Sequence, residues 1–435
     1  MNTSAEVRLW GKTIGAVLLK DGEQFASFEY EKAFQQSGIQ VSPITMPLGN
    51  TVYRFPALSL HTFHGLPGLL ADSLPDRFGN AVIDAWLAKQ GRTPQSFNPV
   101  ERLCYTGERG MGALEFFPVV DQGKPSSSIL EIEQLVQLAS EILSERKSLS
   151  VALPDNDPFS EKAAMRQILQ VGTSAGGARA KAVIAWNPTT GVIHSGQVKN
   201  SPKFQYWLLK FDGVQANGDR ELSDPVGYGA IEYAYYHMAC AAGIEMSECR
   251  LLEENGRRHF MTRRFDRTET GGKIHMQSLG ALAHYDFNLS RVYSYEQVFQ
   301  IIRQLGMSIQ TVEQFFRRMV FNIVARNQDD HVKNIAFLMD QHGVWRLAPA
   351  YDVTYSFKED GIWTGQHQMA MNGKFDGFLK SDFTESARTA GLVRGRSDTI
   401  VNEVCASVEK WMEFAGQAGV PELRAKQIER TFRFF

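Results

Sequence analysis

The sequence predicts an α+β protein with two lobes, preceded by a further α+β module. Three observations support this fold class: short strands and turns with one helix fill residues 1–125, strands flank a glycine-rich loop within 151–272, and helical periodicity dominates 273–435. A connecting helix is expected over 126–150. At 435 residues, the chain is long enough to bury more than one hydrophobic core.

The composition excludes global disorder and a basic surface covering the whole chain. A hydrophobic fraction of 43% is typical of globular proteins, and 46 Lys and Arg against 48 Asp and Glu leave a formal net charge of −2. The N-terminus lacks a secretory pattern, and no run of 18 uncharged apolar residues is present. We therefore expect a soluble, cytoplasmic protein that does not associate with a membrane.

The N-terminal module is predicted from short alternating segments and one amphipathic helix. Residues 7–10 and the alternating stretch 25–30 are typical of strands. A helix is expected to begin near Pro75, and its apolar residues repeat with helical spacing: Phe78, Val82, Ile83 and Trp86. The Gly-, Pro- and Ser-rich run over 122–128 predicts a linker, with a boundary near residue 125.

The second unit is predicted as a β-hairpin closed by a glycine-rich loop. A strand over 168–171 leads into the loop at 172–181, and strands follow at 183–186 and 206–211. The helix expected next ends at Gly243, since glycine commonly terminates helices.

The third unit is predicted to be mainly helical and to carry a dense polar segment. Residues 312–324 place apolar side chains at helical spacing, so this helix is expected in the core. The polar run 327–334 follows directly, and a hairpin with strands at 335–339 and 344–347 comes next. Polar loops at such junctions are frequently active-site loops.

The spacing within this polar run predicts phosphoryl transfer. Kinase-like folds need a carboxylate that accepts or orients the substrate hydroxyl and, five residues later, an Asn that reaches Mg²⁺. Asp329 and Asn334 have this spacing, and the hairpin would return the chain so that Asp352 supplies a second metal-binding carboxylate. Because Asp and Asn at this spacing also occur by chance in solvated loops, the prediction depends on the whole ordered set.

Two residues upstream fit the nucleotide side of such a site. Lys210 lies in an otherwise apolar strand, where a cation either reaches solvent or holds an anion such as a nucleotide phosphate. Glu232, near the start of the following helix, is the candidate to orient Lys210. The alternatives are an edge-strand lysine that prevents aggregation and an exposed glutamate favoured by the helix dipole.

The glycine-rich loop carries a serine close to two cations. Thr173 and Ser174 precede Arg179 and Lys181, so a phosphate on the loop would find positive charges. The alternative is that Ser174 only hydrogen-bonds a turn. Ala178 stands where a Walker A loop requires Lys, which excludes that motif.

Together these residues resemble the HipA family, serine/threonine protein kinases that act as toxins of bacterial toxin–antitoxin modules. The resemblance spans nearly the whole chain and includes the Leu-Pro-Asp turn at 74–76 and Gly112-Ala113 in the N-terminal module. It implies a two-lobed, protein-kinase-like fold with the extra N-terminal module and a mainly helical C-lobe.

The resemblance assigns roles to residues on the nucleotide side. The family's flexible loop carries an autophosphorylated serine and ends in lysine, which matches Ser174 and Lys181. An Arg-Phe-Asp-Arg segment near the adenine-binding hinge matches Arg264 and Phe265, and the family's ATP-phosphate lysine matches Lys210. The implied nucleotide-binding set is Lys210, Ser174, Gly176, Gly177, Lys181, Glu232, Arg264 and Phe265.

The catalytic and metal motifs of the family also match. The implied catalytic residues, from the family's Asp-x-His-x-Lys-Asn motif, are Asp329, His331 and Lys333. The Asn of this motif is Asn334, and the family's Tyr-Asp motif matches Tyr351 and Asp352. Asn334 and Asp352 are therefore the implied Mg²⁺ ligands.

The resemblance further implies cofactors and partners. ATP and Mg²⁺ would be used to phosphorylate a protein hydroxyl, which belongs to an aminoacyl-tRNA synthetase in known members. A HipB-like helix-turn-helix antitoxin would bind the chain and carry it to operator DNA. The sequence departs from the family at two places. Asp330 stands where the family has glycine, and the loop sequence Gly-Gly-Ala-Arg-Ala differs from that of the best-known members. The alternatives are a small-molecule or phosphoinositide-type kinase and a catalytically silent corepressor of a DNA-binding partner.

Overall fold

The computed structural model describes most of the chain. Its described residues are 2–119, 130–144, 168–169, 172, 179–197, 200–214, 218–219, 222–223 and 227–435. The predicted linker at 122–128 and the loop residues Ser174, Gly176 and Gly177 lie outside them, so what the sequence predicts there stays a prediction.

The N-terminal module is built on an antiparallel sheet flanked by short helices. Its strands are β1 (Thr3–Leu9), β2 (Lys12–Leu19), β3 (Ser27–Tyr30), β4 (Val52–Tyr53) and β5 (Leu114–Phe117), in the order β4-β3-β2-β1-β5. Its helices are α1 (Lys32–Gln35), α2 (Leu60–Phe63), α3 (Gly68–Ala71), α4 (Arg77–Lys89) and α5 (Pro99–Thr106), with a 3₁₀ turn at Pro94–Ser96. Alternate residues of β1 are buried, because successive strand side chains point to opposite faces of the sheet.

A second antiparallel sheet of five strands forms the N-lobe. Strands β6 (Lys181–Trp186), β7 (Ile193–Ser195), β8 (Gln205–Lys210), β11 (Cys249–Glu254) and β12 (Arg257–Arg263) take the order β11-β12-β8-β6-β7, and the two-residue strands β9 (Gly218–Asp219) and β10 (Leu222–Ser223) pair separately. Helices α6 (Ile132–Ser144) and α7 (Tyr228–Ala241) accompany this sheet. The predicted strands at 183–186 and 206–211 correspond to β6 and β8, which pair with each other.

The strand predicted over 168–171 is wrong where the structure describes it. Ile168 and Leu169 are helical and buried in the core of the N-lobe. A short apolar run has the same appearance in a buried strand and in a buried helix, so periodicity cannot separate the two.

Helix α4 connects the N-terminal module to the N-lobe. Asp76 caps this helix, because Asp76 Oδ1 accepts a hydrogen bond from Gly79 N at 2.6 Å. The apolar face predicted from the sequence is buried at Phe78, Val82 and Ile83. These side chains belong to the same hydrophobic cluster as the apolar residues of α6, β6 and β8, so the two units share one core.

The C-lobe combines small sheets with most of the long helices. Strands β13 (His275–Ser278), β15 (Ala336–Met339) and β16 (Trp345–Leu347) form a sheet in the order β13-β15-β16, and β14 (Tyr293–Ser294) pairs in parallel with β17 (Met369–Ala370). The helices are α8 (Leu279–Ala283), α9 (Tyr295–Gln304), α10 (Ile309–Val324), α11 (Lys380–Thr389), α12 (Arg396–Val408), α13 (Trp411–Ala418) and α14 (Glu422–Glu429).

These elements confirm the α+β class predicted from the sequence. The predicted core helix over 312–324 lies within α10, and the predicted hairpin consists of β15 and β16. In the described part of the chain, no helix is long and apolar enough to cross a lipid bilayer.

The N-terminal module is hydrogen-bonded to the C-lobe as well as to the N-lobe. Trp345 Nε1 donates to Gln40 O at 3.1 Å, and Ser278 N donates to Asp72 Oδ2 at 2.6 Å. His275 is on the same strand as Ser278, its side chain is completely buried, and its ring centroid lies 5.7 Å from that of Trp345. The module therefore covers part of the C-lobe that would otherwise face solvent.

The burial of His275 predicts a pH-dependent stability. Burial lowers the pKa of this imidazole from 6.5 to about 4. The folded protein holds it neutral, whereas the unfolded chain binds a proton below its ordinary pKa. Stability is therefore fully present above about pH 6.5 and falls by on the order of 3 kcal/mol as the pH drops from there towards 4.

Urea denaturation midpoints at several pH values between these limits provide the measurement. In His275→Gln, we expect the midpoint to depend less steeply on pH than in the wild type. Some dependence remains, because burial also lowers the pKa of His284 to about 4. Equal pH dependence of the two proteins would contradict the assignment.

Candidate active site

A cluster of three charged side chains lies where the two lobes meet. Lys210 ends β8, Glu232 belongs to α7, and Asp352 follows the β15–β16 hairpin. The Lys210 Nζ atom lies 2.5 Å from Glu232 Oε1 and also donates to Asp352 Oδ1. The structure thus brings together three residues that the sequence separates widely.

Burial and mutual attraction set the charge states of this cluster. Burial lowers the pKa of Lys210, but the attraction of Asp352 and Glu232 outweighs burial and raises this pKa above its usual value. Burial alone would raise the pKa of Asp352, but the charge of Lys210 more than offsets it and lowers the pKa. Lys210 is therefore cationic and Asp352 anionic at neutral pH, while burial raises the pKa of Glu232.

The backbone around Asp352 is held in an uncommon conformation. Asp352 has a φ of 57°, in the left-handed region that residues with a Cβ atom rarely adopt. Two neighbours fix this segment: Ala350 N donates to Glu245 O at 2.8 Å, and the Tyr351 hydroxyl donates to Lys333 O at 2.7 Å. The segment that carries Asp352 is thereby tied to the polar loop before β15.

That polar loop presents Asp329 and Asn334 side by side. Its last residues form a 3₁₀ turn at Val332–Asn334, and Asn334 Nδ2 donates to the Asp329 backbone carbonyl at 3.0 Å. His331 Nε2 lies 3.7 Å from Asp329 Oδ1. Because the Asn334 nitrogen is engaged with the loop itself, its amide oxygen is the atom suited to bind a cation.

Asp330, adjacent to Asp329, is a buried carboxylate that stabilises the loop. It is 5% exposed and accepts hydrogen bonds from His367 Nδ1 at 2.9 Å, from Gln368 N at 2.7 Å and from the Tyr295 hydroxyl. Where the family has glycine, this chain therefore has a buried carboxylate that anchors the loop to the segment before β17. From the sequence alone, Asp330 is recognisable only as a departure from the family's glycine.

Asp329 is bonded to a residue that the sequence analysis missed. Trp363 Nε1 donates to Asp329 Oδ1 at 2.6 Å. The available signal was weak: Trp363 and Ile362 form an apolar pair within the otherwise polar, glycine-containing segment 358–367.

The hinge residues predicted beside a nucleotide base have two different surroundings. The Arg264 guanidinium forms two hydrogen bonds with Asp266, at 2.9 and 2.7 Å, and both side chains are fully buried. Arg264 N donates to Tyr206 O at 2.9 Å. Phe265 is half-buried, and its ring centroid lies 5.6 Å from that of Tyr351. Phe265 therefore borders the segment that carries Asp352, whereas the Arg264 side chain stabilises the fold.

The cations that follow the glycine-rich loop also have partners. Lys181 lies opposite Lys210 on the neighbouring strand, and its Nζ atom is 2.8 Å from Asp76 Oδ2, with both side chains 2% exposed. The Arg179 guanidinium lies 3.8 Å from the centroid of the Tyr228 ring. Asp76, the cap of α4, was not anticipated as the partner of Lys181.

The oxygen donors of the site suit Mg²⁺ shared with phosphates. Within the described residues, no group of three or more His, Cys, Asp and Glu side chains could hold a metal ion by itself. Mg²⁺ is usually bound through one or two carboxylates together with substrate phosphates. Asp352, whose side chain is 34% exposed, and Asn334 form such an incomplete set.

Known proteins similar to this chain include two that curators describe as kinases. A Haemophilus influenzae protein named "Putative kinase" is 22% identical over 267 residues, which cover 53% of this chain and 78% of the relative. "Putative kinase Y4mE" of Sinorhizobium fredii is 25% identical over 193 residues, 40% of this chain and 45% of the relative. The chain thus spans less than half of the second relative.

A solved structure shows the same fold over almost the full length. A chain of the Shewanella oneidensis toxin–antitoxin complex of HipA, HipB and operator DNA is 17% identical, with a TM-score of 0.65 over 98% of this chain and 95% of that chain.

Two family models cover most of the sequence. The model of the HipA N-terminal domain matches residues 5–117, and the model of the HipA-like C-terminal domain matches residues 173–412. Since the second model alone covers more than half of the chain, this protein belongs to the HipA family.

Proposed function

We propose that this chain is an ATP- and Mg²⁺-dependent serine/threonine protein kinase and the toxin of a HipA/HipB-like toxin–antitoxin module. The observation that carries the proposal is the contact of Lys210 with both Glu232 and Asp352. In protein kinases, a strand lysine paired with a helix glutamate and a metal-binding aspartate must all be in place for phosphoryl transfer. Membership in the HipA family and the names of the two relatives support the same reaction class.

Each residue of the cluster has a proposed role in binding. Lys210, protonated and oriented by Glu232, binds nucleotide phosphates. Asp352 and Asn334 hold Mg²⁺, which neutralises charge developing on the transferred phosphoryl group. The half-buried Phe265 contacts the base, whereas Lys181 is paired with the buried Asp76 and has no proposed contact with the nucleotide.

Asp329 is the proposed group that acts on the acceptor. Its carboxylate orients the serine or threonine hydroxyl and accepts the proton of that hydroxyl as the phosphoryl group transfers. His331 lies next to this carboxylate, and the Lys333 Nζ atom lies 4.5 Å from the centroid of the Phe287 ring. His331 and Lys333 are thereby proposed to shape the acceptor side of the site.

Removal of either carboxylate is expected to stop the reaction. We expect Asp329→Asn and Asp352→Asn each to reduce phosphate transfer from ATP at least about 100-fold. Thermal shift with Mg-ATP separates the two roles, because Asp329→Asn should retain the Mg-dependent shift and Asp352→Asn should lose it. Asp360→Asn makes the same chemical change at an exposed position and is the matched control. Wild-type transfer in Asp329→Asn would exclude the proposed role of Asp329.

Autophosphorylation at Ser174 is part of the proposal. A phosphoserine adds about −1.5 to −2 charges, so inside the nucleotide site it would repel the triphosphate and could capture Arg179, a cation close to it in the sequence. By intact-mass spectrometry, we expect one phosphate group on the wild type and none on Ser174→Ala or Asp329→Asn. A phosphate on Asp329→Asn made in cells would identify another kinase as its source.

The proposed partners are a HipB-like helix-turn-helix antitoxin and, through it, operator DNA. The solved Shewanella HipA is part of such a complex. With a net charge of −2, this chain has no excess of cations to neutralise DNA phosphates by itself. An aminoacyl-tRNA synthetase is the first protein substrate to test.

A gel-shift titration at physiological salt tests whether the chain binds operator DNA only through the antitoxin. We expect the isolated chain to bind the DNA upstream of its gene no more tightly than a Kd of about 10⁻⁶ M, the usual range of non-specific binding. Addition of a HipB-like antitoxin that binds the chain should produce a tight ternary complex. Tight binding by the isolated chain would contradict the proposal.

A further inference from the structure

Among the described residues, the carboxylate of Asp329 is held through one of its two oxygens. Trp363 Nε1 donates to Oδ1 at 2.6 Å, and His331 Nε2 approaches the same oxygen at 3.7 Å. Within the described part of the chain, the hydrogen bonds and ion pairs of this carboxylate all fall on Oδ1. The second oxygen, Oδ2, is therefore the atom left to receive an acceptor hydroxyl.

The segment that carries Trp363 is itself firmly anchored. Gln368 Nε2 donates to Trp363 O at 2.5 Å, and Gln368 N donates to Asp330 Oδ1 at 2.7 Å. The segment also turns tightly, since a Cβ atom on Gly365 would lie 2.4 Å from Gly361 O. Gln368 thus holds both Trp363 and Asp330, the residue next to Asp329.

This geometry restrains a group that could otherwise rotate. An aspartate has a broad torsional preference about its carboxylate, and Asp329 is only half-buried. A hydrogen bond to a charged acceptor is stronger than one between neutral groups. Trp363 is 8% exposed, so water competes little for its indole N–H. One fixed oxygen determines the plane of the carboxylate and hence the direction of the other oxygen.

We propose that Trp363 is a positioning residue for phosphoryl transfer: its indole N–H fixes Asp329 Oδ1 so that Oδ2 faces the acceptor hydroxyl. This inference rests on the proposed kinase activity. It assigns a role in the reaction to the segment 358–367, none of whose residues has a proposed role on the nucleotide side. Small errors in the orientation of a reacting group are costly, because the transfer requires aligned atoms.

Trp363→Phe removes the N–H and keeps an aromatic ring. We expect the kcat of autophosphorylation to fall about tenfold, the usual effect of losing one hydrogen bond to a charged group. The KM for ATP and the thermal shift with Mg-ATP should change less than about twofold, since nucleotide binding does not use Trp363. A general loss of folding would instead change all of these quantities together.

The chain offers a matched control in Trp345→Phe. Trp345 is also 8% exposed and donates its indole N–H to a protein oxygen, Gln40 O at 3.1 Å, away from Asp329. This variant should retain the wild-type kcat. A double mutant with Asp329→Asn provides the second test: if Trp363 acts through Asp329, then adding Trp363→Phe should not reduce the residual rate further.

The outcomes separate the inference from the proposed function. A wild-type kcat in Trp363→Phe overturns the positioning role and leaves the kinase assignment intact. An equal loss in Trp345→Phe, or a further loss in the double mutant, also overturns it, since either indicates a purely structural effect. If the wild-type chain transfers no phosphate, the proposed function fails and the inference fails with it.

Discussion

The candidate active site depends on one cation, Lys210, that is held between carboxylates from both lobes. Its side chain is 13% exposed, and a buried charge is tolerated only when opposite charges and hydrogen bonds surround it. Glu232 comes from the N-lobe and Asp352 from the C-lobe, so Lys210 links carboxylates of the two lobes at the candidate active site. The uncommon backbone conformation of Asp352 is maintained within this constraint.

The adjacent residues Asp329 and Asp330 differ in burial and therefore in role. Asp330 is inside the C-lobe, and three donors satisfy it, so it acts as an anchor. Asp329, one residue earlier, is half-buried, and among the described residues its hydrogen bonds and ion pairs involve only Oδ1 of the carboxylate. Because the two residues are adjacent, the anchored Asp330 supports the position of Asp329 directly through the backbone.

The residues of the site that could be predicted from the sequence are those that the order of elements along the chain indicates, including the pair Lys210 and Glu232. The spacing of Asp329 and Asn334, and the hairpin that leads to Asp352, follow from the order of elements. Trp363 and Asp76 meet their partners only through tertiary packing, which no periodicity encodes. The same reason explains the fold: strands, α10 and the α+β class could be predicted, whereas the insertion of α4 into the core of the N-lobe could not.

The contact between Asp76 and Lys181 bears on how far this chain can be divided. Asp76 belongs to the region matched by one family model, and Lys181 belongs to the region matched by the other. The cap of a helix in the first region is also a counter-charge for a strand of the second, and both side chains are withdrawn from water. Recombination that exchanged one region alone would have to preserve an acid at the end of that helix. Separate family models match the two regions, but a buried ion pair between Asp76 and Lys181 joins them in the folded protein.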